Sequence, residues 1–249
     1  MLVIGIDSGS TTTKGVVMHG DQIVDWLIVP TSYNPKQTII DVYQRLKDGR
    51  EAYVVTTGYG RQLLDTADHS VTEITCHAKG AGYFCPESRA VVDIGGQDSK
   101  AIALDSLHLV NDFLMNDKCA AGTGRFMEVM MRTLHQDLAD LDAFISGHEP
   151  VSINSMCTVF AESEIISLLS RGESPNAIAM GVVDSICKRT AIFAKRLSLG
   201  GTVFFSGGLS QSDVVRTTLE KHLGCRVVTH EKAQFAGAIG AALSAKNKR

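Results

Sequence analysis

The sequence predicts an α/β protein made of two related lobes. Two phrases support this fold class, each an apolar strand running into an acid and glycines: L-V-I-G-I-D-S-G-S-T-T-T-K-G at residues 2–15 and A-V-V-D-I-G-G-Q-D-S-K at residues 90–100. Further strand-like segments follow each phrase, so the order of elements repeats along the chain. With 249 residues the chain is long enough for two lobes. Internal duplication is the economical explanation.

The first half is expected to form three strands, a helix, a strand and a second helix. A glycine-rich turn and the H-G-D turn at residues 19–21 are typical of a strand meander. Apolar residues on one helical face predict the first helix, and a β-branched strand follows it. The small residues of A-K-G-A-G predict a helix that packs closely on a neighbour. The predicted strands are 2–6, 15–19, 22–30 and 52–56, and the predicted helices are 38–47 and 71–84.

The second half repeats the three-strand pattern and adds more helices. The P-E-S breaker at residues 86–88 marks the lobe boundary. Strands are predicted at 90–94, 100–104, 109–115, 203–205 and 226–229, and helices at 124–135, 159–170, 175–197, 212–222 and 233–245. We therefore expect an N-terminal lobe at residues 1–88, with the helix at 240–249 packing back on it, and a C-terminal lobe at residues 89–239.

Composition excludes several classes of partner. The net charge of −3 is spread along the chain without a basic block, which argues against nucleic acid or an anionic membrane surface as a partner. No apolar run approaches the ~20 residues needed to cross a bilayer, and the chain begins with a strand-like run, so the protein is expected to be cytoplasmic. In that compartment the six cysteines are expected to remain unpaired.

The two glycine-containing phrases predict a phosphate site between the lobes. Glycines allow backbone N–H groups to approach phosphate oxygens, hydroxyls add donors, and a lysine neutralises a phosphate. The acids at the strand ends are placed to hold hydrated Mg²⁺ or to orient attacking water. The candidate catalytic residues are Asp7, Asp93 and Gln97, and the candidate phosphate-binding residues are Ser8, Gly9, Ser10, Thr11, Thr12, Lys14, Gly95 and Gly96.

A hairpin turn with a capped polar loop is the alternative interpretation of either phrase alone, and the matched pair disfavours it. The chain contains neither a Walker A loop nor the Rossmann fingerprint, so these nucleotide folds lose support. F-F-S-G-G at residues 204–208 adds a strand that ends in paired glycines, Gly207 and Gly208, which can accept adenine and ribose. Gln234 begins a second small-residue helix, Q-F-A-G-A-I-G-A-A, and is the last candidate cofactor-binding residue.

Taken together, the two phosphate phrases, the two small-residue helices and the adenosine turn resemble the actin, sugar kinase and Hsp70 ATPase superfamily over the whole chain. The resemblance implies two duplicated actin-like ATPase lobes with ribonuclease H-like sheets around a nucleotide cleft. It also implies ATP or ADP with Mg²⁺ as ligands.

Two cysteine phrases indicate a metal centre. N-D-K-C-A-A-G-T-G-R-F at residues 116–126 and C-T-V-F-A-E-S-E at residues 157–164 place Cys119 and Cys157 just before predicted helices. A helix N-terminus favours a thiolate or an anionic cluster. Two buried thiols are the alternative interpretation. Because a cubane iron–sulfur cluster usually takes four thiolates, a twofold dimer would supply the other two.

These phrases, together with T-G-Y-G-R at 57–61 and E-I-T-C-H at 73–77, closely resemble the ATP-dependent activator component of 2-hydroxyacyl-CoA dehydratases. That family is related to the ATPase subunits of benzoyl-CoA reductase. The resemblance implies a homodimer that carries one [4Fe-4S] cluster, held by Cys119 and Cys157 of each chain. It further implies ferredoxin or flavodoxin as electron donor, and ATP hydrolysis that drives an electron onto a separate dehydratase in anaerobic metabolism.

Two other functions remain open at this point. One is a small-molecule (sugar) kinase of the same superfamily, which would need a sugar-binding cleft and further insertions that 249 residues leave little room for. The other is a nucleotide-regulated assembly protein without redox chemistry. Cys76, Cys85, Cys187 and Cys225 match no ligand phrase and are interpreted as core or surface thiols, and His77 as a helix-packing residue.

Overall fold

The computed structural model describes residues 1–155, 157–197 and 199–245. The strands are β1 (Leu2–Ser8), β2 (Thr12–His19), β3 (Gln22–Pro30), β4 (Ala52–Thr57), β5 (His69–Ser70), β6 (Ser88–Ile94), β7 (Ser99–Leu104), β8 (Val110–Asn116), β9 (Thr202–Gly207) and β10 (Val227–Val228). The α-helices are α1 (Pro35–Lys47), α2 (Glu73–Phe84), α3 (Gly124–Thr133), α4 (Leu141–Ile145), α5 (Thr158–Ser170), α6 (Pro175–Lys195), α7 (Asp213–Leu223) and α8 (Ala236–Ser244). Short 3-10 helices lie at Leu138–Asp140, Gly208–Gln211 and Ala233–Phe235.

The strands form two five-stranded sheets with the same order of elements. The first sheet has the order β3-β2-β1-β4-β5, with β1 antiparallel to β2 and parallel to β4. The second sheet, followed from its other edge, has the order β8-β7-β6-β9-β10. In both, three consecutive strands lie side by side and the next strand returns beside the first. The predicted α/β class with a duplicated sheet is confirmed.

One face of the first sheet is covered by α1. Asn34 caps this helix by accepting the N–H of Gln37, and a proline occupies its first turn, where no N–H partner is lost. Ile39 and Val42 are buried in one cluster with Ile4 and Ile6 of β1. Full burial of each such side chain contributes about 1.5–3 kcal/mol, so this face anchors the strand that leads to the first phosphate phrase.

The other face of the first sheet carries α2 and α8, the two small-residue helices. They pack on each other so closely that a Cβ on Gly80 would collide with the Ala236 carbonyl, and one on Gly240 with the Cys76 carbonyl. A Cβ on Gly5 would likewise collide with α8. The small residues are therefore required by close backbone approach. This fixes α8 over the odd-numbered residues of β1.

The chain divides into two compact units. The first comprises Met1–Val91, Ile102–Phe113 and the C-terminal segment from His230, and the second comprises Val92–Ala101 and Leu114–Thr229. In the second unit α3 buries an apolar stripe that includes Phe126 and Met130. The long helix α6 contacts α3, α4, α5 and α7, so it forms the centre of that unit's helical layer.

Several boundaries differ from the predictions. Strand β2 begins at Thr12 because its hairpin register with β1 extends to the pair of Ser8 and Thr13. The predicted helix 233–245 begins as a 3-10 turn, and α8 proper starts at Ala236. The short elements β5 and α4 were not predicted, since two and five residues carry little periodicity. Of the expected C-terminal helix at 240–249, residues 246–249 lie outside the described residues.

Among the residues that the structure describes, no helix combines the length and the apolar character needed to span a membrane.

Candidate functional site

The first candidate region is the turn between β1 and β2. Asp7 and Lys14 lie opposite each other in the hairpin register, and Asp7 Oδ2 is 3.9 Å from Lys14 Nζ. Their side chains are largely buried, with exposed fractions of 8% and 15%. Partly buried charges are screened less by salt than surface charges. A phosphate at this turn would therefore meet a cation that is already oriented.

Three glycines from other segments surround the end of β1. A Cβ on Gly58 or Gly237 would collide with the carboxylate oxygens of Asp7, and a Cβ on Gly60 would collide with the hydroxyl of Ser8. The N–H of Gly60 also donates to the Ser8 carbonyl at 2.9 Å. Any residue with a Cβ in place of one of these three glycines would therefore compete for space with the Asp7 carboxylate or the Ser8 hydroxyl.

Two hydroxyls beside this carboxylate are buried without a hydrogen-bond partner among the described residues: Ser8 Oγ and Thr57 Oγ1. The Cys76 thiol lies beside Thr57, although the two groups do not form a well-aligned hydrogen bond. An unsatisfied buried polar group costs about 1–3 kcal/mol. A polar ligand that reached these hydroxyls would recover that cost, so the residues present fit a phosphate or a hydrated cation.

The loop itself is held through its carbonyl groups. The Thr31 hydroxyl donates to the Gly9 carbonyl at 2.8 Å, and the Thr31 N–H donates to the Thr11 carbonyl at 2.9 Å. Ser10 and Thr11 are exposed, and Thr12 is half-buried. These three predicted hydroxyl donors therefore remain accessible while the backbone is fixed, whereas Ser8 is buried.

The second candidate region lies between β6 and β7, in the second unit. Asp93 is buried and accepts a hydrogen bond from Ser206 Oγ at 2.8 Å. The buried Lys100 ammonium is 2.7 Å from Asp98 Oδ2 and 3.4 Å from Asp93 Oδ2. The Gly95 N–H donates to the Asp98 carbonyl and closes the turn. This phrase therefore presents one cation shared by two carboxylates.

The carbonyls of this turn hold the start of α3. The Gly124 N–H donates to the Gly95 carbonyl at 2.8 Å, and the Arg125 N–H donates to the Gly96 carbonyl at 2.9 Å. Gln97, at the tip of the turn, is exposed. A displacement of the turn would therefore be transmitted directly to the first residues of α3.

Lys100 and Ser206 were not among the sequence-predicted site residues. A signal for the lysine was present, because Lys100 follows Asp93 by seven residues, as Lys14 follows Asp7. No local pattern identified the serine, which comes from a strand far along the chain and meets Asp93 only because β9 lies beside β6.

The predicted adenosine turn follows β9. Gly207 has φ +92°, in the left-handed region that favours glycine, and a Cβ there would collide with the Ile94 carbonyl. A Cβ added to Gly208 would meet no atom within 4 Å, so the backbone is open on that side. Gln234 is half-buried and lies in the 3-10 turn before α8, in the first unit, whereas the two glycines belong to the second unit.

The structure therefore brings the predicted site residues together in two groups. The first unit brings together Asp7, Ser8, Lys14 and the hydroxyl loop. The second unit brings together Asp93, the 95–96 turn and, through Ile94, the turn at Gly207.

Both predicted metal-ligating cysteines are exposed. Cys157 is the residue that directly precedes α5, as predicted. Cys119 lies further from its helix than expected, because α3 begins at Gly124 after the cap residue Thr123. The side chain of Asn116 holds Cys119 instead. Its Oδ1 accepts the Cys119 N–H at 3.3 Å, and its Nδ2 donates to the Cys119 carbonyl at 2.9 Å.

The other four cysteines are more shielded. Burial raises the pKa of the Cys76 thiol to about 12 and also raises the pKa of Cys187. Burial likewise raises the pKa of Cys85 and of Cys225, which is half-buried. Thiolates are the metal-binding form, so these four are poor ligand candidates.

The number of exposed cysteines is half the number of thiolates that a cubane iron–sulfur cluster takes. A cubane cluster takes four thiolates, and the chain offers two exposed thiols, Cys119 and Cys157. In the part of the chain that is described, no group of three or more His, Cys, Asp or Glu side chains is arranged to hold a metal. Two further thiolates would be needed to complete such a set.

Glu164 holds the segment that leads to Cys157. Its carboxylate accepts the N–H groups of Asn154 at 3.0 Å and Ser155 at 2.8 Å. Burial alone would raise the pKa of this carboxyl, but the hydrogen bonds from Asn154 and Ser155 outweigh it and lower the pKa. Arg189 also donates to the Ser155 carbonyl at 3.2 Å. The approach to the exposed thiol is thus anchored on both sides.

Helix α5 presents apolar side chains to solvent next to this thiol. Val159 and Phe160 are 67% and 68% exposed, and Ile166 is 54% exposed. Clustered exposed apolar residues are a feature of protein–protein contact surfaces. The surface beside Cys157 therefore has the character of an interface.

Comparisons with known proteins find a family and relatives that match nearly the whole chain. Residues 4–245 match the BadF/BadG/BcrA/BcrD ATPase family. The uncharacterized protein YjiL of Escherichia coli (strain K12) is 50% identical over 99% of this chain and 97% of its own length. The (R)-2-hydroxyglutaryl-CoA dehydratase activating ATPase of Acidaminococcus fermentans is 41% identical over 98% of this chain and 97% of its own length.

The fold is shared with solved structures. The activator of the 2-hydroxyisocaproyl-CoA dehydratase from Clostridium difficile, solved with bound ADPNP, is 36% identical, with a TM-score of 0.91 over 100% of this chain and 95% of that one. A ROK family glucokinase from Streptomyces griseus has a TM-score of 0.65 over 99% of this chain and 100% of that one, at 14% identity. The second likeness extends to the fold alone.

Proposed function

Because the chain belongs to the BadF/BadG/BcrA/BcrD ATPase family, we propose that it is an ATP-hydrolysing activator that passes a low-potential electron to a partner enzyme. The partner would be of the 2-hydroxyacyl-CoA dehydratase type or the benzoyl-CoA reductase type, as the names of relatives suggest. One observation carries the proposal: the same chain combines glycine-lined acidic turns with an exposed pair of cysteines.

ATP would bind through both phosphate phrases. Lys14 and the hydroxyls of the first loop would contact phosphate oxygens, while the turn at Gly207 and Gly208 and the side chain of Gln234 would contact the adenosine. Asp7 and Asp93 would hold hydrated Mg²⁺, which neutralises charge on the transferring phosphoryl group. Gln97 would orient the attacking water. The orphaned hydroxyls and the glycines around Asp7 support these roles.

A homodimer would complete the metal site. Cys119 and Cys157 of each protomer would hold a single [4Fe-4S] cluster on the twofold axis, and such a cluster supplies one-electron transfer at low potential. The exposed apolar side chains of α5 support a contact surface around this site. Ferredoxin or flavodoxin would deliver the electron.

The second unit offers a route between the two sites. The Gly95 and Gly96 carbonyls hold the first N–H groups of α3, and α3 follows the loop that contains Cys119. A change at the phosphate turn on hydrolysis would shift the start of α3 and with it the Cys119 loop. Two lobes move in this proposal. One comprises residues 1–88 with 240–249, and the other comprises residues 89–239.

Anaerobic purification tests the proposal. We expect a brown dimer with about four iron atoms per dimer. The Cys157→Ser variant should lose the iron and weaken the dimer while retaining ATP binding, and Cys225→Ser serves as the matched control that keeps both. Retained iron in Cys157→Ser would contradict the ligand assignment. A colourless monomer that phosphorylates a sugar would support the kinase function instead.

A further inference from the structure

The second unit contains a pocket that the roles above do not use. Its volume is about 420 Å³, within the range of about 300–1,000 Å³ that is typical of small-molecule sites. One wall is the segment at residues 150–154. The other is a face of α6, where Gly181, Asp184, Ser185 and Lys188 recur at helical spacing and Arg189 follows them. All of these residues belong to the same compact unit.

Both ends of the segment that forms the first wall are fixed on α6. At one end the Val151 N–H donates to the Ala177 carbonyl at 3.0 Å, and a Cβ on Gly181 would collide with the Val151 carbonyl. At the other end Arg189 Nη2 donates to the Ser155 carbonyl at 3.2 Å. The two walls are therefore held together by the protein itself, and a ligand does not have to order them.

The pocket holds two cations without a counter-charge. Among the described residues neither Lys188 nor Arg189 forms an ion pair, and Arg189 Nη1 is buried with no hydrogen-bond partner. The acid of the lining, Asp184, is paired elsewhere, since its Oδ1 lies 2.7 Å from His222 Nε2. A buried charged group without a partner is costly, and an anion bound beside the guanidinium would offset that cost.

We propose that this pocket binds a small organic molecule that carries one carboxylate. The planar guanidinium of Arg189 matches the geometry of a carboxylate, and the Lys188 ammonium adds a second positive charge. Val151 and Ile153, also in the lining, offer apolar surface to the rest of the molecule. The carboxylate of Asp184 in the same lining disfavours a doubly charged phosphate.

This site goes beyond the proposed function and does not depend on it. The residues that line the pocket belong neither to the two phosphate phrases nor to the cysteine phrases. Occupancy of the pocket and occupancy of the nucleotide site can therefore be measured separately.

The experiment measures butyrate binding to the full-length protein by ligand-observed NMR, with ADP in excess so that the nucleotide site is occupied. We expect saturable binding of butyrate, and binding of the neutral amide butyramide that is weaker by about tenfold or more. Arg189→Leu should weaken butyrate binding about tenfold or more. Arg196→Leu is the matched control, since Arg196 is exposed at the end of the same helix and outside the lining.

A second variant keeps the test valid if Arg189→Leu does not fold. Lys188 is exposed, so Lys188→Met should leave the fold intact and weaken butyrate binding about threefold. No butyrate binding by wild type, or equal binding by wild type and Lys188→Met, would overturn the inference. Equal binding of butyramide would also overturn it, because the pocket would then not recognise the charge.

Inorganic phosphate is the remaining probe. Tighter binding of phosphate than of butyrate to the ADP-saturated protein, weakened in Arg189→Leu, would overturn the carboxylate assignment. A protein that does not bind ADP would overturn the proposed function. Butyrate binding with the expected effects of the variants would leave this inference standing in that case.

Discussion

At the scale of single residues, the carboxylate of Asp7 depends on positions that carry no side chain. Gly58 and Gly237 each approach one of its oxygens, and Gly60 approaches the neighbouring Ser8 hydroxyl. These contacts explain why the T-G-Y-G-R phrase accompanies the first phosphate phrase in the sequence. The glycines leave room for the acid and for a ligand to approach it.

Substituting Gly60→Ala should weaken ATP binding about tenfold, equivalent to about 1.4 kcal/mol, because the new methyl group displaces the Ser8 hydroxyl. Equilibrium titration with ATP measures this change. Gly200→Ala is the matched control, since a Cβ there meets no atom within 4 Å. Equal ATP affinities in the two variants would show that Ser8 takes no part in the site.

Lys100→Met should lower the free energy of unfolding by about 3–5 kcal/mol. The substitution removes the buried cation that Asp93 and Asp98 share and leaves the two carboxylates without this counter-charge. Chemical denaturation measures the loss. Lys36→Met is the control, because the Lys36–Asp65 pair is exposed and should contribute less than about 1 kcal/mol. A similar loss in both variants would contradict the structural role of Lys100.

At the scale of elements, the segment before α5 and the first residues of α3 are each tied down by hydrogen bonds. Glu164 reaches back from α5 to two N–H groups of the segment before it. The carbonyls of the turn at Gly95 and Gly96 receive the first N–H groups of α3. Both cysteine phrases therefore lie next to backbone that other elements hold in place.

Glu164→Gln should destabilise the protein at neutral pH but not in acid. The pKa of Glu164 is below its ordinary value of 4.5, so the stabilisation is present above that pH and is lost as pH falls through the lower folded-state pKa. The melting-temperature gap between wild type and variant should shrink over that range. Glu162→Gln, an exposed position on the same helix, is the control. A gap independent of pH would refute this explanation.

At the scale of the whole molecule, the proposed dimer rests on two features, the exposed apolar surface of α5 and the two exposed thiols. The exposed apolar side chains lie on α5, directly after Cys157: Val159, Phe160 and Ile166. A dimer through this surface would cover apolar area and bring two thiol pairs together.

Phe160→Ser should raise the dimer dissociation constant about tenfold or more, because it removes a large apolar side chain from the proposed contact. Sedimentation under anaerobic conditions measures the constant, and ATP binding should be unchanged. Ile192→Ser is the control, since Ile192 is similarly exposed, at 62%, but lies on α6. An equal effect of both substitutions, or none from Phe160→Ser, would place the interface elsewhere.

The sequence alone determined the α/β class, the repeated strand order, the packing of the two small-residue helices and the position of Cys157 at a helix start. These features are encoded in short windows, as periodicity, β-branched runs and glycine-rich turns. The tertiary structure alone decided that Gly58, Gly60 and Gly237 surround the end of β1 and that Ser206 meets Asp93. Such contacts join residues far apart in the chain, and they form only once α8 packs on β1 and β9 lies beside β6.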